Sequence, residues 1–364
     1  LATHQPKHIL FAPLDWGLGH TTRCIPLIRY MQSLGHVPVI AGNASQRTFI
    51  EDTFGPIDFI HLEGYNIRYS RWNRIGQAGL LAQMPRILAT IKAEHNWLLQ
   101  VTKERQIDGI ISDNRYGLHH PAIPSVILTH QLQVQTGIGD FADRALQKLH
   151  YTFLKRFHQT WVVDIPGTPN LGGKLSHPAT LPQHNKYIGL LSQFEEMPHN
   201  NNAGNHLLIL LSGPEPQRTD LARILWQQAL QHNGPITFIE GSESATTPPT
   251  IPAHINYHKR LTTQQLAPIL ADADIVTSRS GYSTLMDLIA LRKKAIIIPT
   301  PGQTEQQYLG KHLHAQGLFY CAPQKGFDLQ TALKEATQFP FHSLAIDGEF
   351  DGYKTVVEEW INTL

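Results

Sequence analysis

Cysteine is nearly absent: the 364 residues hold only Cys24 and Cys321, far apart. That excludes a disulfide framework and suits a reducing cytoplasm. No run of about 18 apolar residues occurs, so no transmembrane helix is predicted. The start, LATHQPKHILFAPL, carries no signal-peptide pattern, and the expected location is cytoplasmic. Charge of either sign is scarce, at 16% of residues, and nearly balanced, with a formal net charge of +1. A balanced surface gives no reason to expect nucleic acid as a partner. Apolar residues make up 41%, enough for a packed core and too many for a disordered chain. Histidine is plentiful at 21, but His119-His120, His254/His258 and His312/His314 each lack a third ligand at suitable spacing. No metal site is expected from them.

What is present centres on the stretch from Ile275 to Tyr308. Ile275–Thr277 is a short apolar run. Ser278, Arg279, Ser280, Gly281, Tyr282, Ser283 and Thr284 form a small, polar turn. Leu285, Leu288, Ile289 and Leu291 then follow helical spacing. Ala295–Pro299 reads as a strand buried on both faces and ends in Pro-Thr-Pro-Gly loop punctuation. A helix start leaves backbone N–H groups without partners at the positive end of the dipole, and small residues let an anion approach them. Asp287, one turn in, could accept hydrogen bonds from sugar hydroxyls. A plainer alternative is that Thr284 and Asp287 form a capping box that only starts the helix.

The rest repeats strand–turn–helix grammar, as a parallel sheet requires. His8–Leu14 is a strand that runs into Asp15-Trp16-Gly17-Leu18-Gly19-His20, followed by a helix to Gly35 and a strand at Val37–Ala41. Arg23 falls three residues past His20 and no third glycine follows, so no dinucleotide fingerprint is present. Gly64–Arg74 is irregular, basic and aromatic. A long helix is predicted over Gly79–Lys103, with Leu80, Leu81, Met84, Ile87, Leu88, Ile91, Leu98 and Leu99 as its apolar face. Strands at Asp108–Ser112, Ser125–Thr129 and Trp161–Asp164 each carry polar residues just past their ends, among them Asp113, Asn114, Arg115, His130 and Gln131. Open α/β sheets bind ligands at that edge. A Gly-, Pro- and Asn-rich crossing over 166–204 precedes a second series of the same units, and a last helix is predicted at Tyr353–Thr363.

His20 sits where an imidazole could take a proton from a hydroxyl, or could be a plain loop or capping histidine. Asp113 could orient it, or could serve an Asx turn. Asp15 is a rival base. Ser212-Gly213 opens a helix after a buried strand, with Arg218 close by. Amides and the carboxylate in Gln303–Tyr308 can bond sugar hydroxyls.

Ser278–Thr284, Asp287, Pro299, Pro301-Gly302 and Gln306-Gln307-Tyr308 together resemble the donor-binding half of GT-B glycosyltransferases, and most nearly the MurG-type enzymes of family 28. Gly17-Leu18-Gly19-His20 is similar to that group's G-x-G-H loop. The resemblance implies an α/β GT-B fold of two Rossmann-like, doubly wound domains facing a cleft. It implies an N-terminal acceptor domain over 1–186, a linker over 187–205, a donor domain over 206–350 and a helix over 351–364 packing back on the first domain. The implied activity is inverting, metal-independent transfer of a sugar from a nucleotide sugar, a UDP-sugar, to a hydroxyl acceptor, with no cofactor. Lipid-linked and cell-envelope glycans are the acceptor class the resemblance points to, with 65–99 meeting the inner face of a membrane; the plainer alternative is a core-packed helix at 79–99 beside a solvated loop. His20 and Asp113 are the implied catalytic pair. Gly19, Ser212, Gly213, Arg218, Leu261, Arg279, Ser280, Gly281, Tyr282, Ser283, Thr284, Asp287, Thr304, Glu305, Gln306 and Gln307 are the implied donor contacts. One departure stands out: Gln193 occupies the slot where MurG-type chains carry an arginine near the diphosphate. Arg218, Arg279 or the helix N-termini must then supply the positive charge. Asp272-Ala273-Asp274 spells the D-x-D of metal-dependent GT-A enzymes, but it precedes a strand instead of ending one, so a helix end is the better account. A nucleotide-sugar hydrolase and a non-catalytic nucleotide-sugar binder remain the alternatives.

Overall fold

A computed structural model describes residues 5–65, 76–134, 139–194, 206–242, 244–344 and 348–364. Most of the basic, aromatic loop expected at 65–74 lies outside these residues; its first member, Tyr65, is buried.

The first domain runs β1 (His8–Pro13), α1 (Gly19–Ser33), β2 (Val37–Gly42), α2 (Ala44–Phe54), β3 (Asp58–His61), α3 (Gly76–Glu104), β4 (Gly109–Asp113), β5 (Ser125–Thr129), α4 (Asp140–Leu154), β6 (Gln159–Val162) and β7 (Asn185–Tyr187). Its strands are parallel in the order β3-β2-β1-β4-β5-β6-β7. The second runs β8 (Leu207–Leu210), α5 (Gln217–Ala229), β9 (Ile236–Ile239), β10 (Ile255–His258), α6 (Thr263–Asp272), β11 (Ile275–Ser278), α7 (Tyr282–Ala290), β12 (Lys294–Ile297), α8 (Thr304–Ala315), β13 (Tyr320–Cys321) and α9 (Leu329–Gln338). Its parallel sheet has the order β10-β9-β8-β11-β12-β13. A final helix, α10 (Gly352–Ile361), closes the chain.

The continuous apolar runs follow from helices covering both faces of each sheet. Along β1 the residues alternate between two cores: Ile9 and Phe11 feed one, Leu10 and Ala12 the other. β12 does the same, with Ala295 and Ile297 on one side and Ile296 on the other. The largest core does not stop at the domain junction. It joins Leu27 and Met31 of α1 to Leu285 and Met286 of α7, to Ile188–Leu191 after β7, and to Trp360 of α10.

In both sheets the strand order reverses beside the first strand, between β1 and β4 and between β8 and β11. Helices leave opposite faces there, and the strand ends open a crevice. Asp113 pairs with Pro13 at the first reversal, and Ser278 pairs with Leu210 at the second. The loops after β1 and β8, and the turn after β11, therefore all lie at reversals.

The chain crosses between domains twice, side by side. Leu190 N–H donates to Glu349 O at 2.9 Å, where the outgoing strand of chain meets the returning one. α10 then lies on the first domain. Trp360 packs edge-to-face on Trp161 at 5.6 Å, Tyr353 does so on Tyr30 at 5.7 Å, and Lys186 pairs with Glu359 at 2.6 Å.

Three expectations need adjusting. Gln303–Tyr308 is not a loop but the N-cap and opening turns of α8. Only Leu309, Gly310 and Leu313 of that helix are buried, so its apolar stripe is too thin to read against the Pro-Gly signal before it. α3 begins before Gly79 and continues through Pro85. The crossing expected over 166–204 contains a strand, β7, paired with β6, and the apolar residues after it enter the inter-domain core.

Candidate active site

Gly19 and His20 begin α1 directly beyond β1, with no side-chain cap on the helix. His20 Nδ1 lies 3.1 Å from Oδ1 of Asp113, the last residue of β4, whose carboxylate has no solvent exposure. Arg23, one turn further along α1, grips the same carboxylate with two nitrogens, Nε at 2.7 Å from Oδ2 and a second nitrogen on Oδ1. Burial alone would favour a neutral Asp113. Arg23 and then His20 outweigh it and hold the carboxyl down at about 2. Burial pushes the His20 imidazole below its ordinary value; Asp113 opposes this shift, and Arg23 and His130 add to it. The ring is thus neutral at pH 7, and because Asp113 only accepts, its Nδ1 holds the proton and Nε2 the lone pair. Asp15, the rival base, accepts from Tyr65 N–H at 3.0 Å and fixes the entry to the 66–75 segment instead.

Facing this pair is the N-terminus of α7. Gly281 is its N-cap, and no side chain caps it, so the capping box of Thr284 and Asp287 does not form. Nothing would lie within 4 Å of a Cβ on Gly281, so that approach is open. α8 also begins without a side-chain cap, at Gln303, whereas the first turn of α5 is held by Glu215, whose carboxylate accepts from Thr219 N–H at 3.3 Å. Gly213, with φ of +104°, makes the turn that few side chains would allow. The lobes touch here: Ser283 Oγ donates to Gly19 O at 2.7 Å. A Cβ on Gly19 would sit 3.2 Å from that hydroxyl, so any side chain there would crowd the contact between the lobes.

Comparison with known proteins bears on the fold and its class of activity. Residues 239–343 match the glycosyltransferase family 28 C-terminal domain. The crystal structure of Acinetobacter baumannii MurG superposes over 99% of this chain and 100% of that one, with a TM-score of 0.54 at 14% identity. This is a glycosyltransferase of the GT-B fold. An uncharacterized glycosyltransferase of Methanosarcina acetivorans is 22% identical over 378 residues, covering 93% of this chain and 94% of its own. A UDP-N-acetylglucosamine–N-acetylmuramyl-(pentapeptide) pyrophosphoryl-undecaprenol N-acetylglucosamine transferase of Prochlorococcus marinus is 30% identical over 98 residues, 26% of each chain.

The glycosyltransferase uses several expected donor contacts otherwise. Arg279 is buried and spends its guanidinium on Gln324 Oε1 and Gln217 O, both at 2.7 Å, and on the carbonyls of Ile298 and Pro299. Arg218 is equally buried, donating to Glu240 O at 2.7 Å and pairing with Glu215. Neither guanidinium is placed as a diphosphate clamp, because each ties the turn it sits on to its own sheet. Tyr282 is an inter-domain strut: its hydroxyl donates to Val163 O at 2.8 Å. The Asp287 carboxylate accepts from Ser192 Oγ at 2.7 Å and Gln193 Nε2 at 3.0 Å, so it anchors the linker. The slot held by Gln193 is thus part of a joint between linker and α7. Gln306 Oε1 accepts from Thr300 N–H, while its carbonyl takes the Ser280 hydroxyl. Leu261 packs against the large core, Gln307 is exposed, and Ser212, Thr284 and Thr304 stay at the cleft-side turns or first helical turns. Asp274 of the D-x-D string accepts from His206 N–H at 2.6 Å, a strand-start contact.

Sequence reading misses Arg23 as a site residue and puts His130 at the strand edge without a role. His130 lies past β5, its Nδ1 2.9 Å from Arg23 and its Nε2 2.9 Å from Glu305 of α8. A signal existed: Arg23 falls one helical turn past His20, on a helix face that is otherwise apolar.

Proposed function

We propose that this enzyme transfers a sugar from a UDP-sugar to a hydroxyl acceptor with inversion, without a metal ion. The observation that carries this reading is the placement of the His20–Asp113 pair against the uncapped α7 N-terminus, in contact through Ser283 and Gly19. His20 Nε2 takes the proton of the acceptor hydroxyl as its oxygen attacks the anomeric carbon. The bond from that carbon to the diphosphate oxygen breaks, and the electron pair leaves with the diphosphate. A single in-line displacement inverts the anomeric centre. Asp113, ionised throughout, stabilises the imidazolium. The backbone N–H groups of α7, with Gly213 alongside, receive the charge of the leaving group. They take over the task that the engaged Arg218 and Arg279 do not perform.

The Prochlorococcus relative is named for a UDP-linked sugar donor and a pyrophosphoryl-undecaprenol acceptor, which supports UDP as the carrier and a lipid-linked acceptor here. The first domain also offers a groove of about 400 Å³ between α3 and α4, lined by Leu88, Ile91 and Phe153 with Lys92 and Arg156. At its edge the Phe153 ring meets that of Tyr116, three residues past Asp113, at 5.7 Å. Such a surface suits an apolar acceptor carrying negative charge, presented at a membrane. Among the described residues no helix is long and apolar enough to cross one.

The test is UDP release by wild-type and His20→Ala enzyme. The variant is expected to bind UDP with wild-type affinity and to lose about 10³-fold in kcat. Full turnover in His20→Ala sinks the assignment. Equal UDP release with and without acceptor identifies a hydrolase instead.

A further inference from the structure

The contacts of Arg23 and His130 fix the direction of every hydrogen bond around the base. A guanidinium only donates, so His130 Nδ1 must accept from Arg23 at 2.9 Å. The proton of the neutral ring then sits on Nε2, which donates to the Glu305 carboxylate at 2.9 Å. The His130 ring is clamped by Tyr282, stacked at 4.1 Å and 13°. Arg23, at 2% exposure, is a buried cation gripped by a fully buried carboxylate. The network thus runs His20–Asp113–Arg23–His130–Glu305, and its last member belongs to the opposite domain.

Its charge count is informative. At rest the cluster holds one cation, Arg23, and two carboxylates, Asp113 and Glu305. Cys24, whose Sγ is 4.0 Å from Asp113, stays a neutral thiol because burial pushes it up. The cluster is therefore one positive charge short. A proton arriving on His20 makes it neutral, and in a site shielded from water that balance matters more than it would at a surface.

We propose that Arg23 and His130 are positioning residues for His20, and that Glu305 is their anchor across the cleft, so that the base acquires its full counter-charge only when the two domains meet. This rests on His20 being the base of sugar transfer. Charges face His20 from α1 (Arg23), β4 (Asp113) and α8 (Glu305), with His130 beyond β5 between them.

The experiment titrates the His20 imidazole by NMR in nucleotide-free protein, then measures the pH profile of kcat for UDP release. Removing the cation in Arg23→Gln is expected to raise the His20 midpoint by about one pH unit, and removing the carboxylate in Glu305→Gln to lower it by about one. The acid limb of kcat moves with each. Arg23→Lys, which restores the charge, returns the midpoint toward wild type even if melting temperature does not recover. Unmoved midpoints, or movement of the same sign in both charge-removing variants, overturn the proposal. If Arg23→Gln fails to fold, the Glu305→Gln and Arg23→Lys arms still decide. Absence of UDP release from any nucleotide sugar by wild-type protein would count against the transferase reading alone, since the imidazole titration needs no turnover.

Discussion

Asp113 and Asp287 are both aspartates at the cleft, and their surroundings drive them in opposite directions. Arg23 and His20 overcome the burial of Asp113 and hold it at about 2. Asp287 meets only the neutral donors Ser192 and Gln193, which do not offset its burial, and it rises to about 6. By linkage, the stability from Asp113 is present at neutral pH and lost only as pH falls through about 2. Asp287 has the reverse sign: its protonated form suits the fold, so its contribution is complete below about pH 4 and lost as pH rises through about 6. That loss is at most about 3 kcal/mol. Thermal unfolding should therefore show wild type losing stability relative to Asp287→Asn between pH 4.5 and 7; a difference constant with pH contradicts this. The lowered His20 carries its own consequence. A base whose midpoint lies below 6.5 keeps kcat flat through neutrality, with the acid limb at lower pH. An acid limb centred above 6.5 would mean that another group titrates. At this scale the sequence shows which residues reach the strand ends, because polar residues follow apolar runs there. It does not show which of them are already paired. Arg218 and Arg279 look like free cations in a string of letters, and only the fold reveals the carbonyls that claim them.

Among the elements, α7 is the most legible and α8 the least. α7 follows a buried strand through small residues and has a full apolar stripe, from Leu285 to Ile289. α8 carries few buried apolar residues among its Gln, Glu, Lys and His, and its meaning comes from what it reaches, His130 through Glu305 and Lys174 N–H through the Tyr308 hydroxyl at 2.7 Å. The open N-terminus of α7 predicts an asymmetry between stability and binding. Gly281→Asp places a good N-cap on the helix, worth about 0.5–1 kcal/mol, at a position with room for a side chain. The same carboxylate repels a diphosphate. The melting point of the free protein should hold or rise, while the thermal shift caused by UDP falls away. A variant that melts lower yet still responds fully to UDP would place the diphosphate elsewhere.

For the molecule as a whole, the parallel sheets were readable from repeated strand–turn–helix units, and the helix after 350 from its apolar spacing. The continuity of the core across the junction was not, because no local pattern distinguishes a residue buried within a domain from one buried between two. Trp360 is such a residue, at 1% exposure against Trp161. Trp360→Ala should cost about 3–5 kcal/mol and split calorimetric unfolding into two transitions, since it loosens what joins the lobes. A single transition shifted by less than about 1 kcal/mol would show that α10 contributes little.

The paired crossings of the chain set how the lobes can part. A single tether would act as a ball joint and let one lobe swivel freely. Two neighbouring tethers joined by the Leu190–Glu349 hydrogen bond behave as a door hinge, which permits one arc of swing and resists twist. On the transfer reading proposed above, each swing that admits the donor returns Glu305 to His130 along the same path, so the alignment of the reacting groups is inherited from the hinge and need not be searched for at every turnover.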